Sequence, residues 1–339
     1  MPKDKKIEVT LDYSNYIQAA PVPPKSLYST ACSSDEATVS KWRDQWLSQL
    51  KANHAKFGNF EEYSIGKLHQ SLLYRPAIIV GSGPSLKRNG EELRDRKGIT
   101  ALSCLHNYHF FEDRDIHIDY FVNLDAGEVT IEEVAEGGAK SPEAYWESTK
   151  NKTLLTFVGA HPELLKRWQG KVYFFNCPVP DPSYEKEAEA VEVFRTYISS
   201  GGNVLGACLY IAKAILGANP IAFMGADFSF SYDKKFHGWD SKYDKNIGQV
   251  QRTVDVFGNK VLTWGSYHGF KCFFDWVAES IPGIYINCSE GGTFGAYNEG
   301  NIMSVKQMDF VDFLRMYHLS DELKECCVNP RVLEKKILY

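Results

Sequence analysis

The chain has 339 residues, 44% of them apolar and 24% charged, with a net charge of −5 at pH 7. That is the balance of an ordinary soluble globular protein; it excludes a dedicated nucleic-acid binder or a basic membrane-surface protein, and no stretch approaches the roughly 18 uninterrupted apolar residues of a membrane span. The eight cysteines form no Cys-x-x-Cys pair and sit mostly in apolar runs, so they read as buried thiols of a reducing, cytoplasmic compartment and not as a disulfide frame or zinc site.

Residues 1–30 contain Pro and Tyr without a clear period and read as an extended arm. From Ser33-Ser34-Asp35 a capped amphipathic helix is predicted through Trp42, Trp46, Leu47 and Leu50. Together, residues 1–72 form an arm and helical extension. Strand-like and helix-like segments then alternate. Ala77–Val80 is too short and too β-branched for a helix and reads as a buried strand. Gly81-Ser82-Gly83-Pro84-Ser85 follows it: the glycines permit close backbone approach, and Pro84 and Ser85 suit the first turn and cap of a helix. A strand, a Gly turn and a helix N-terminus together make a phosphate cradle, although a tight turn without ligand uses the same residues. The motif is neither the G-x-G-x-x-G fingerprint nor a Walker A loop.

Further strands are predicted at 99–104, 119–124, 153–158, 171–175, 220–225 and 283–287. Helices are predicted at 161–168, 203–216 and 267–279. The alternation implies an α/β fold with a mainly parallel sheet over residues 73–310. A cap or insertion is expected within about 130–200, and a helical tail at 311–339.

If the strands are parallel, their C-terminal ends share one edge, where ligands of such sheets bind. Asn107 follows the second strand, Asn123 and Asp125 end the third, Ser200-Gly201-Gly202 opens the small-residue helix, and Gly225 and Asp227 end the 220–225 strand. Asn and Ser there can read a base or sugar, while the Gly-rich turns hold phosphate. Asp125 and Asp227 are candidate ligands of a divalent cation, though each alone fits a cap or turn better. His237 and His268, in polar loops, are candidate general bases at neutral pH; His106 and His109 are weaker candidates.

With these residues assembled, the chain resembles the bacterial motility accessory factor family and the related MptE-like 6-hydroxymethylpterin diphosphokinase domain. The carrying pieces are Ile79-Val-Gly-Ser-Gly-Pro-Ser-Leu86, Asp119-Tyr-Phe-Val-Asn-Leu-Asp125, Gly201-Gly-Asn-Val204, Ala218 to Ser229, Val256-Phe-Gly-Asn-Lys-Val261 and Ile286-Asn-Cys-Ser-Glu-Gly-Gly292. The core is also similar to bacterial sialyltransferases that use a CMP-sugar. That resemblance implies a Rossmann-like fold and nucleotide contacts at Gly81, Ser82, Gly83, Asn107, Asn123, Ser200, Gly201, Gly225 and Asp227. It also implies a catalytic histidine at His268 or His237. The tyrosines that assist the leaving phosphate there have no match, since Ser229 stands in one such place; Tyr232 and Tyr243 are substitutes.

Three functions follow. The first is a glycosyltransferase moving a nonulosonic-acid-type sugar from a CMP donor to a hydroxyl of a protein or glycan acceptor. The second is a diphosphokinase using ATP and Mg²⁺, for which Asp125 and Asp227 are indispensable. The third is a non-catalytic assembly module. No nucleic-acid or membrane partner is expected.

Overall fold

Trp46, Leu50 and Asn53 recur at four- and three-residue spacing and therefore share one face of a long helix, α1 (Lys25–Phe57). The computed structural model describes residues 25–179, 181–190, 197–198, 200–232, 238–239, 250–297 and 300–317, with residues 25–37 as backbone only. The α1 face rests on the central domain: Trp46 meets Phe157 edge-on with ring centroids 6.0 Å apart, and the buried Asn53 Nδ2 donates to the carbonyls of Val158 and Ala160, both at 2.9 Å. The helix starts eight residues ahead of the expected Ser33 cap, so residues 25–30 are helix and not arm. The stretch 25–32 holds no Gly or Pro, and an established helix propagates cheaply until something stops it. Residues 1–24 lie outside the described residues.

Strand β1 is Ala77–Val80, buried at every position, as in a strand covered on both faces of a parallel sheet. It leads into the short helix α2 (Leu86–Asn89) and a 3₁₀ segment, Gly90–Asp95. β2 (Thr100–Cys104), α3 (Tyr108–Glu112), β3 (Tyr120–Asn123), α4 (Val129–Ala135) and α5 (Pro142–Ser148) follow. Next come β4 (Thr153–Phe157), α6 (Pro162–Arg167), β5 (Lys171–Phe175) and α7 (Pro182–Ala190). Helix α8 (Val204–Tyr210) widens into a π-helical turn at Ile211–Ile215 before β6 (Ile221–Met224). Beyond lie the antiparallel hairpin β7 (Val250–Val254) and β8 (Lys260–Trp264), helix α9 (Gly265–Ser280) and β9 (Tyr285–Asn287). The short pair β10 (Ala296–Tyr297) and β11 (Gly300–Asn301), β12 (Val305–Gln307) and α10 (Phe310–Tyr317) complete the described residues.

Eight strands form one sheet in the order β12-β9-β6-β1-β2-β3-β4-β5, and every pairing within it is parallel. The fold is α/β and Rossmann-like, with an N-terminal helix. The stretch 130–200, expected to hold a cap or insertion, supplies β4 and β5 to this sheet, so that part of it is integral: β4 pairs with β3 and β5 with β4. The strand order reverses between β1 and β6, which makes their C-terminal ends the switch point where open α/β sheets bind ligands. No helix among the described residues is long and apolar enough to cross a membrane. Cys104, Cys177, Cys208, Cys272 and Cys288 are free thiols.

Candidate functional site at the switch point

The glycine turn after β1 lies at this switch point, packed against the turn after β6. Gly83 N–H donates to the Gly225 carbonyl at 2.9 Å, and Gly81 N–H to that of Met224 at 2.8 Å. A Cβ on Gly83 would stand 2.1 Å from Asp227 Oδ2, and one on Gly225, where φ is +61°, 2.3 Å from the Gly81 oxygen. Glycine is needed for backbone contact as well as for conformation.

Ser85 does not cap α2. Its hydroxyl donates to Asp227 Oδ2 at 2.6 Å, and its amide donates to the same oxygen at 3.3 Å. The turn's anion-binding donors are thus largely engaged by the protein itself, with Asp227 as the resident anion; among the described residues the Ser82 amide is left without a partner. Burial pushes the Asp227 carboxyl up to about 6, against the opposing pull of the Ser85 bonds and of Arg88. A carboxyl buried at a sheet edge and titrating near neutrality marks a candidate functional group.

Asn107 lies one strand over and is fully buried. Its Nδ2 donates to the Gly81 carbonyl at 3.1 Å, the Val80 carbonyl at 3.3 Å and Ser103 Oγ at 3.0 Å. Two of these are carbonyls, which fixes the amide's orientation. Among the described residues its Oδ1 then has no donor. Asn123 is satisfied: its Nδ2 donates to Thr156 Oγ1 and the Asp125 carbonyl, and its Oδ1 accepts the Asp125 amide. Asp125 is exposed and accepts the Gly127 amide at 2.7 Å, closing a turn.

The Ser200–Asn203 turn reaches the same edge. Asn203 caps α8 by accepting the Gly206 amide at 2.9 Å, and the next-but-one residue, Leu205, brings its Cδ1 within 3.1 Å of where a Gly81 Cβ would stand. Ser200 Oγ accepts the Gly202 amide at 3.2 Å. Phe273 and Phe270 of α9 back Gly201 and Gly202. His268, read as part of a polar loop, lies in the first turn of α9 and is exposed. Its Nε2 is 3.6 Å from Cys272 Sγ, and the 3.6-residue period places it on a different face from Phe270 and Phe273. Partial desolvation, then the Lys271 charge, hold its pKa below the usual histidine value. His237 and Tyr243 lie outside the described residues. His106 pairs with Glu133 at 3.1 Å, and His109 is buried against the Val134 carbonyl.

At this edge Arg88 and Trp239 carry no signal in the sequence, whereas Tyr232 and Gly292 stand among the residues read above and take partners that the sequence does not show. Arg88 donates to the carbonyls of Ser289 (2.7 Å) and Glu290 (2.6 Å). Gly292 packs so tightly on Asp227 that a Cβ would meet its Cα at 2.5 Å. Trp239 N–H donates to the Ser82 carbonyl at 2.9 Å, laying the chain after β6 over the turn. Tyr232 donates to Asp255 Oδ2 at 2.6 Å, and burial first, then Asp255, push its pKa up to about 12. As donors for Mg²⁺ the proposed carboxylates fit poorly. Asp227 Oδ2 takes both Ser85 donors and Asp125 Oδ1 closes its own turn, and no three His, Cys, Asp or Glu side chains cluster for a metal among the described residues.

Residues 48–233 match the family model described as MptE-like, 6-hydroxymethylpterin diphosphokinase MptE-like. The chain belongs to this MptE-like family. Among solved structures it is similar to the MAf glycosyltransferase from Magnetospirillum magneticum AMB-1, with a TM-score of 0.50 and 16% identity. The likeness covers 74% of this chain and 38% of that one, and at this identity it is a likeness of fold. No curated protein matches. The MptE-like match covers β1 through β6, and so both turns of the switch point.

Proposed function

We propose that the chain is a glycosyltransferase that moves a nonulosonic-acid-type sugar from a CMP donor to a hydroxyl acceptor. The observation that carries this reading is the orphaned Asn107 Oδ1: a buried acceptor at the end of β2, beside the Gly81 turn, held in orientation by three bonds from its own amide nitrogen. An unpaired buried acceptor costs about 1–3 kcal/mol, which a ligand N–H or O–H, such as the cytosine amino group or a ribose hydroxyl, would recover. The Ser82 amide and the Ser200–Gly202 turn are then the groups assigned to the phosphate. In the transfer, the acceptor oxygen bonds to the anomeric carbon as the bond from that carbon to the phosphate oxygen breaks. The acceptor proton passes to a base, and CMP departs with the bonding pair. His268 and His237 are the two candidates for that base; His268 has a lowered pKa, as a base at neutral pH needs, but sits on a face of α9 other than the one that backs the Ser200–Gly202 turn. A cytoplasmic setting belongs to the same proposal.

The second reading is a diphosphokinase using ATP and Mg²⁺, favoured by the MptE-like match and opposed by the poor fit of Asp125 and Asp227 to a shared cation. Thermal shift with CMP, CTP, ATP and GTP, each with Mg²⁺ or with EDTA, separates the two. We expect stabilisation by CMP in EDTA, lost in Asn107→Ala. Stabilisation by ATP with Mg²⁺ alone would sink the transferase in favour of the diphosphokinase, and no response to any nucleotide would favour a non-catalytic module.

A further inference from the structure

At the opposite edge of the sheet, near the N-terminal ends of β1, β2 and β3, an open cleft of about 560 Å³ is lined by Arg75, Arg94, Arg96, Ile99, Ile116 and His117, with Asp115 and Asp119. The strands are four or five residues long, so the cleft is separated from the switch point by about 15 Å of strand. Its volume is in the range of small-molecule sites.

The three guanidinium groups are not equivalent. Arg96 is committed: its buried Nη2 pairs with Asp119 Oδ2 at 3.1 Å. Asp119 is held further by the Ala101 amide at 2.9 Å and faces His117 at 3.5 Å. Arg75 and Arg94 have only carbonyl partners. Arg75 Nη2 donates to Gly98 O at 3.3 Å, leaving its buried Nε–H without an acceptor, and Arg94 Nη2 donates to Arg114 O. Among the described residues neither has a carboxylate partner. Asp115 is exposed, so it offsets the pair only through solvent, and the lining stays net positive. Two guanidinium groups lining one cleft without counter-ions leave it positive, and their planar forks match the oxygens of a compact dianion.

We propose that this cleft is a second ligand site, taking a phosphate-bearing small molecule whose head group is held by Arg75 and Arg94. A phosphate monoester carries about −1.5 to −2 at neutral pH, which matches the two unpaired cations. A dicarboxylate has similar charge, but its two carboxylates are spread along a carbon chain. The inference does not depend on the reaction at the switch point.

The test uses the full chain with ¹³C-labelled isoleucine δ1 methyls, titrated with inorganic phosphate at constant ionic strength. Ile99 and Ile116 report the cleft, and Ile79, in β1, reports elsewhere. Saturable shifts of Ile99 and Ile116 are expected, with affinity at least about tenfold weaker in Arg94→Gln and in Arg75→Gln, the loss of one charge-assisted hydrogen-bonding group. Arg94 is exposed and, among the described residues, its side chain gives up only the Arg114 carbonyl, so its variant perturbs the fold less than Arg75→Gln. The proposal fails if phosphate gives no saturable shift, if NaCl or succinate gives the same response, if Ile79 responds while Ile99 and Ile116 do not, or if Arg94→Gln binds as the wild type does.

Discussion

Asp227→Asn tests the switch point most directly, because the side chain keeps its shape and loses only its charge. The wild-type carboxyl, ordinarily near 3.8, titrates at about 6 when folded. Between those values the folded state holds more protons than the unfolded one, so stability falls as pH rises. The full cost of ionising Asp227 is about 3 kcal/mol, from roughly two pH units at 1.36 kcal/mol each. Integrated over pH 4.5–7.5, the part inside a practical window is about 2 kcal/mol. Urea denaturation of both proteins across that window gives the stability difference at each pH. The substituted amide offers Ser85 a neutral acceptor, which adds a constant offset, and the pH-dependent part belongs to Asp227 alone. Asp275, also pushed up to about 6 by burial, titrates in both proteins and cancels. The variant should gain about 2 kcal/mol relative to wild type as pH rises from 4.5 to 7.5. A flat difference would refute the assigned burial penalty. A difference running the other way would mean that Ser85 and Arg88 stabilise the carboxylate by more than burial disfavours it.

Two further substitutions probe what holds the site in place. Gly83→Ala drives a methyl to 2.1 Å from Asp227 Oδ2 and 2.7 Å from the Gly225 oxygen, and should cost about 1–3 kcal/mol; an unchanged urea midpoint would mean the two turns are not packed together. Asn53→Ala removes the only hydrogen bonds by which that side chain ties α1 to the Val158 and Ala160 carbonyls. We expect a loss of about 1–3 kcal/mol, read by chemical denaturation, with faster amide exchange along α1; protection equal to wild type would show that the apolar contacts of Trp46 and Leu50 suffice.

The strands were legible because a parallel strand covered on both faces must be largely apolar along its length, and Ala77–Val80 and Ile221–Met224 are such runs bounded by turn residues. Asp125 followed the local rule that Asp closes its own turn. Ser85 did not: a serine after Gly-Pro at a helix start reads as a cap, yet its hydroxyl goes to a carboxylate 142 residues away. The start of α1 was misplaced because three polar residues suited a cap, whereas nothing in the preceding eight residues stops a helix. The arginines of the rear cleft gave no signal, since Arg75, Arg94 and Arg96 read as ordinary surface charge until the starts of β1, β2 and β3 bring them to one place.

The sequence by itself determined the α/β class, seven of the eight strands of the parallel sheet (all but β12, Val305–Gln307) and the presence of Gly-rich turns with Asn and Asp at strand ends, because burial and turn chemistry are local demands written residue by residue. Only the tertiary structure decided which of those ends meet. The strand order puts β6 beside β1, sets Gly225 and Asp227 against Gly81, Gly83 and Ser85, fills the turn's donors with a carboxylate of the chain itself and leaves the Asn107 oxygen without one. Those pairings span more than a hundred residues, and no local rule encodes a partner at that distance.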